Sequence, residues 1–114
     1  MAVITPEIDN GIDKYMTIKW EELALNDSGT VISIGQYDVQ SIHITGTLGG
    51  TIPIIQGSMD GTNFEVLSFN GFGIIATTGM FNIFEFPKFI APFCFGGDGT
   101  TDIDFIVGAV RLVD

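Results

Sequence analysis

Histidine and cysteine each occur once in this chain of 114 residues, as His43 and Cys94, and lysine and arginine together number only four. One histidine and one cysteine exclude the usual zinc sites, which need several such ligands at recognisable spacing. A lone cysteine also excludes an internal disulfide, so the chain is no disulfide-stapled scaffold. Cys94, within Pro92-Phe93-Cys94-Phe95, reads as a small buried apolar residue. Nothing in the sequence places a base beside it to make it a nucleophile. Four cations against fourteen carboxylates leave a formal charge of −10, which repels a phosphate backbone and argues against direct nucleic-acid binding. No stretch approaches the roughly 20 apolar residues of a membrane-spanning helix. No basic segment followed by an apolar run opens the chain, which points to synthesis in the cytoplasm.

What is present is apolar and glycine-rich. Hydrophobic residues make up 46%, ten of them Phe, and there are 15 Gly. Counting the glycines lifts the apolar share above the roughly 45–50% of ordinary domains. A single domain of this size cannot hide all of it, so part of the surplus is expected to meet a partner. Residues 1–13 show neither helical nor strand period and read as an N-terminal arm, leaving 14–114 as one domain. From there short β-branched and aromatic runs alternate with Gly, Asn and Asp clusters. Tyr15 to Trp20 alternates at period two, and Glu21 to Leu25 could open a helical turn. Thr30 to Ile34 is a short strand. Asp38 to Thr47 sets Ile42 and Ile44 against Ser41, His43 and Thr45. Pro53 marks Thr51 to Gln56 as an edge or bulged strand, joined through Asp60-Gly61 to Phe64 to Phe69 as a hairpin. Phe81 to Phe86 and Lys88 to Phe95 follow. Ile103, Phe105, Val107 and Ala109 alternate down the last strand. About eight strands and no amphipathic helix predict an all-β antiparallel sandwich, of jelly-roll type, with an extended N-terminal arm.

Catalytic constellations are thin. His43 lies on the polar side of its strand. Asp98, Asp102 and Asp104 form the densest acidic group, and three carboxylates with nearby carbonyls could bind calcium, but their spacing is not that of an EF-hand loop. A Gly-rich turn followed by a strand with outward Asp residues accounts for the same letters. Gly71-Phe72-Gly73 lacks the helix and the lysine of a phosphate loop. The sequence therefore predicts no catalytic, cofactor or metal site, and a protein that binds other molecules without catalysis.

Three segments carry a family likeness. Gly57-Ser58-Met59-Asp60-Gly61-Thr62-Asn63-Phe64, then Phe86-Pro87-Lys88-Phe89-Ile90-Ala91-Pro92, then Gly96-Gly97-Asp98-Gly99-Thr100-Thr101 resemble small virion proteins of tailed bacteriophages, over roughly residues 38 to 113. Ala91 departs from that pattern, at a position often basic. The resemblance implies a capsid decoration or cement protein of jelly-roll fold. Such a protein sits on the outer capsid surface of the virion, bound to the major capsid protein and to itself as a homodimer or homotrimer. In that setting Val3, Ile4, Ile8 and Ile12 of the arm, with Phe72, Met80 and Phe81, are the interface candidates. The competing expectation is a carbohydrate- or receptor-binding module of a tail or head fibre.

Overall fold

The same period-two alternation, broken by Gly, Asn and Asp, produces strands and no helix among the described residues. The computed structural model describes residues 2–9, 15–35, 37, 39–71, 73–74, 76–85 and 87–111. In chain order the strands are β1 (Val3–Ile4), β2 (Glu7–Asp9), β3 (Tyr15–Leu23), β4 (Ser28–Gly29), β5 (Ile32–Ser33) and β6 (Val39–Thr47). They continue with β7 (Ile52–Ser58), β8 (Glu65–Val66), β9 (Gly79–Ile83), β10 (Phe89–Phe95) and β11 (Asp102–Val110). One sheet runs β1-β4-β10-β7-β8, with β5 also on β10, and the other runs β2-β3-β11-β6-β9.

β4 and β5 are two pieces of one strand beside β10. Thr30, between them, turns aside: its N–H donates to the Ile4 carbonyl (2.9 Å) and its own carbonyl accepts the Trp20 indole N–H (3.1 Å). With those pieces counted as one, β3 to β11 fill eight positions. From β3 to β11 the chain passes from one sheet to the other at every connection between these eight except β7 to β8, so the strands of one sheet interleave in sequence with those of the other. This is the winding of a jelly roll, and the expected sandwich and strand number are both present.

The N-terminal segment is extended, as expected, and lies along its own sandwich. β1 pairs with β4 in one sheet, and after Pro6 β2 pairs with β3 in the other. Asp27 holds the start in place: its carboxylate accepts the Ala2 N–H at 2.7 Å and the Ala24 N–H at 2.9 Å.

Register explains the core. Ile8, Ile18, Val107, Ile42 and Phe81 stand in one row across the second sheet, and from Ile18 onward they are buried. Trp20, Phe69, Phe105, Ile55, Ile90 and Cys94 join them between the sheets. Burying each such side chain is worth roughly 1.5–3 kcal/mol.

Two local departures from the sequence reading have physical causes. Glu21 to Leu25 does not coil; β3 runs on to Leu23 through a bulge. Phe105 faces Trp20 while Ile103 faces Leu23, so three steps on β3 match two on β11. The extra residue is absorbed at Glu22, at φ 60°, where the Asp104 carboxylate accepts the Glu22 N–H at 2.9 Å. Pro53, expected at an edge, pairs with Cys94 on β10. Cys94 gives its N–H to Asp27 on its other side, so the two face each other as a pair without ladder bonds. The donor that Pro53 lacks is thereby directed to the side where β8 covers only Gln56 and Gly57.

Candidate functional site

The alternation that buries Ile90 and Cys94 turns Phe89, Ala91, Phe93 and Phe95 to the outside of β10. On β7, register sets Ser58, Gln56, Ile54 and Ile52 opposite these four. Val66 of β8 stands beside Gln56, and Ser28 and Val3 continue the Phe93 row. The outer face of this sheet is thus mainly apolar and without charge in these rows, with Ser28, Ser33, Gln56 and Ser58 as its polar members. Phe95 is 61% exposed and Val3 66%, and the Phe93 and Phe95 rings meet edge to face at 6.3 Å. Ile54 and Ala91 also lie on this face, outside the central cluster.

The outer face of the second sheet is the opposite. Glu7, Lys19, Ile106, His43 and Met80 form one of its rows, and Asp9, Thr17, Gly108, Ser41 and Asn82 the next. Thr45, Thr47, Asp102 and Asp104 extend it. One face of the sandwich is polar and charged, and the other is apolar. Phe95, Val3 and Val66 are the exposed members of the apolar face, Phe89, Phe93 and Ile52 are half-buried, and Ile54 and Ala91 are buried between them. An apolar patch of that kind marks an interaction surface.

Beside the apolar face, at its β8 edge, lies a groove of about 450 Å³. Met59, Val66, Leu67 and Pro87 supply its apolar lining. Asp60, Glu65 and Glu85 line it as well, and no lysine, arginine or aromatic ring does among the described residues. The loop that forms one wall is tied to itself. Asp60 accepts N–H bonds from Thr62 and Asn63 (both 2.8 Å), the Asn63 side-chain amide (2.8 Å) and the Ser58 hydroxyl (2.9 Å). The backbone donors of Asn63 and Thr62, then these side chains, hold its carboxyl far below the usual range. Glu85 accepts the Ser68 N–H at 2.9 Å and the Ser68 hydroxyl at 2.7 Å. Partial burial pushes this carboxyl up, yet Ser68 and the backbone donors around it outweigh that, so Glu85 sits below its ordinary value.

Cys94 is fully buried, and burial pushes its thiol up to about 11, with Asp27 adding to the effect and Thr51 opposing it. That is the reverse of an activated nucleophile. His43 is exposed on the polar face. Asp98 caps its own turn, accepting the Thr100 hydroxyl at 2.6 Å and the Thr100 N–H at 2.7 Å, which together hold it below its ordinary value. Asp104 serves the Glu22 bulge. No three potential ligands stand together for a metal ion among the described residues.

The interface candidates read from sequence do not form one site. Val3 is exposed at the margin of the apolar face, while Ile4 packs against the core. Ile8 is exposed at the outer end of its core row. Met80 is 70% exposed on the polar face. Phe81 is taken up by the core, 8% exposed and stacked on Phe69 at 4.9 Å. Ile12 and Phe72 lie outside the described residues. Sequence reasoning missed Phe89, Phe93 and Phe95. Their signal was an apolar run with no polar alternation, which reads as a strand buried on both faces.

The chain is thus a jelly-roll β-sandwich with one apolar outer face. No known protein family matches its sequence, and no curated protein matches it either. Among solved structures it is similar to the SPBc2 prophage-derived protein YomS, with a TM-score of 0.63 at 12% identity over 90% of this chain and 99% of that one. Protein NMB1881 from Neisseria meningitidis gives a TM-score of 0.43 at 8% identity, over 92% and 81% of the two chains. The pre-peptidase C-terminal domain of collagenase from Bacillus anthracis gives 0.42 at 17% identity, over 94% and 92%. The likeness to YomS, at that identity, is one of fold.

Proposed function

We propose that this chain is a structural virion protein of a tailed phage, a capsid decoration protein that docks on the outside of the major capsid protein shell through the apolar face of the β10 sheet. The contrast between the two outer faces carries this reading. A free, stable monomer gains nothing from Phe95 and Val66 in water or from the open sides of Phe89, Phe93 and Ile52, whereas a docked one removes them from it. Burial of one Phe is worth roughly 1.5–3 kcal/mol, and contacts repeated around a shell add up by multivalency. The polar second sheet and the charge of −10 then face solvent and keep particles apart. The prophage origin of YomS, which shares the fold, and the family resemblance of the Asp60 and Gly96-Gly97-Asp98 turns support the same reading. Dimers or trimers formed at the joints between shell subunits fit it too.

In this reading the protein acts by binding; its one thiol is buried and its one imidazole stands on the polar face, away from the docking side. A carbohydrate-binding role is less well supported, because the indole of Trp20 is fully buried and Tyr37 packs against the core, leaving neither as a stacking platform. Co-sedimentation of the purified chain with shells of the same phage tests the proposal. Saturable binding that F93S/F95S abolishes, with the fold retained by circular dichroism, is the expected result. Binding that F93S/F95S leaves unchanged would overturn it.

A further inference from the structure

We propose that the groove between the 58–63 loop and Pro87 receives a lysine or arginine side chain of the protein that covers the apolar face. This deepens the docking reading and rests on it. The groove adjoins that face: Val66 belongs to both, and Gly61 of the loop approaches the Phe89 ring.

Its chemistry selects the occupant. Met59, Val66 and Pro87 offer an apolar channel for the methylene stem of a long side chain, and a cationic head then meets carboxylates. Asp60 already takes four donors from its own loop, three on Oδ1 and one on Oδ2, so the carboxylates with most capacity left for a cation are Glu65 and Glu85. Ser68 keeps Glu85 ionised and fixed. Glu65 of β8, opposite Gly57, is exposed and lines the groove. Among the described residues no cation lines the groove, and the Lys19–Glu21 ion pair at 3.8 Å lies on the other sheet. In a chain with four cations and fourteen carboxylates, a cation from the partner would find these carboxylates uncompensated by the chain's own charges, and such complementarity sets orientation and register on docking. A neutral sugar would find no described aromatic ring here to stack on.

The test titrates the isotope-labelled full chain with Nα-acetyl-lysine amide, with its neutral analogue Nα-acetyl-norleucine amide, and with galactose, followed by amide chemical shifts. Saturable shifts confined to Gly57, Ser58, Glu65 and Leu67, given by the lysine amide alone, are expected. They should weaken at least about tenfold in E65Q/E85Q and several-fold in E65Q, which leaves the Ser68–Glu85 bonds intact. Equal binding of norleucine amide, a galactose response at the same amides, shifts spread over the whole acidic surface, or no loss in either variant would each overturn the inference. Shell binding separates the two levels. If F93S/F95S abolishes docking while E65Q/E85Q keeps it unchanged at every salt concentration, the groove assignment falls and the docking face stands. If neither pair changes docking, both fall.

Discussion

Gln40 is the residue whose chemistry fits its place least. It is 2% exposed, on the inward side of β6, and neither atom of its amide finds a hydrogen-bond partner among the described residues. Such a buried unsatisfied amide costs roughly 1–3 kcal/mol. Gln40→Leu is accordingly expected to stabilise the fold by about 1–2 kcal/mol in urea unfolding, with an unchanged m-value. Cys94 gives a pH signature. Its folded pKa, about 11, lies above the ordinary 9.0, so the folded state holds the proton more tightly than the unfolded chain. Its contribution is complete below pH 9 and is lost as pH rises through 11, the stability falling over that window. Cys94→Ala should remove that part of the alkaline fall in melting temperature. Neither behaviour was readable in the sequence, where Cys94 reads correctly as buried but Gln40 is one polar letter at the start of an alternating strand. Which side of a strand faces inward is fixed by the whole register, and a single residue does not announce it.

Elements with a clean period were legible and those that bend were not. β6 and β11 appear where alternation puts them, with Ile42, Ile44, Ile103, Phe105 and Val107 inward. One failure lies where β3 bends against β11, and β6 bends opposite the same stretch of β11. Glu22 carries the bulge of β3, and Gly46, opposite Ile103, has φ 116° and so little room that a Cβ would collide with the Asp102 carbonyl oxygen. Gly46 is thus required for backbone approach as well as for conformation. Gly46→Ala should cost more than about 1 kcal/mol and speed amide exchange at Asp102 to Asp104. Glu22→Gly, at a left-handed position open to solvent, should be neutral or stabilising. Loss of stability in Glu22→Gly equal to that in Gly46→Ala would contradict this account of the bulge.

At the scale of the molecule, fold class was written in spacing, while the working face was not. A run such as Phe89 to Phe95 carries apolar residues at both parities, and sequence alone assigns it to a strand covered on both sides. Only the structure shows that one of those sides is partly open, with Phe95 exposed and Phe89 and Phe93 half-buried. The surplus apolar content anticipated a partner, but assigned it to the N-terminal segment and to Phe72, Met80 and Phe81; of these Ile4 and Phe81 are spent inside and Met80 is exposed on the polar face. The docking reading therefore stands on the asymmetry of the two faces, and electron cryomicroscopy of shells carrying the bound protein tests it most directly. The β10 sheet, with Phe93 and Phe95, should lie against the shell and the β3-β11-β6 sheet against solvent. Density with the charged sheet on the shell and the phenylalanines in water would contradict it.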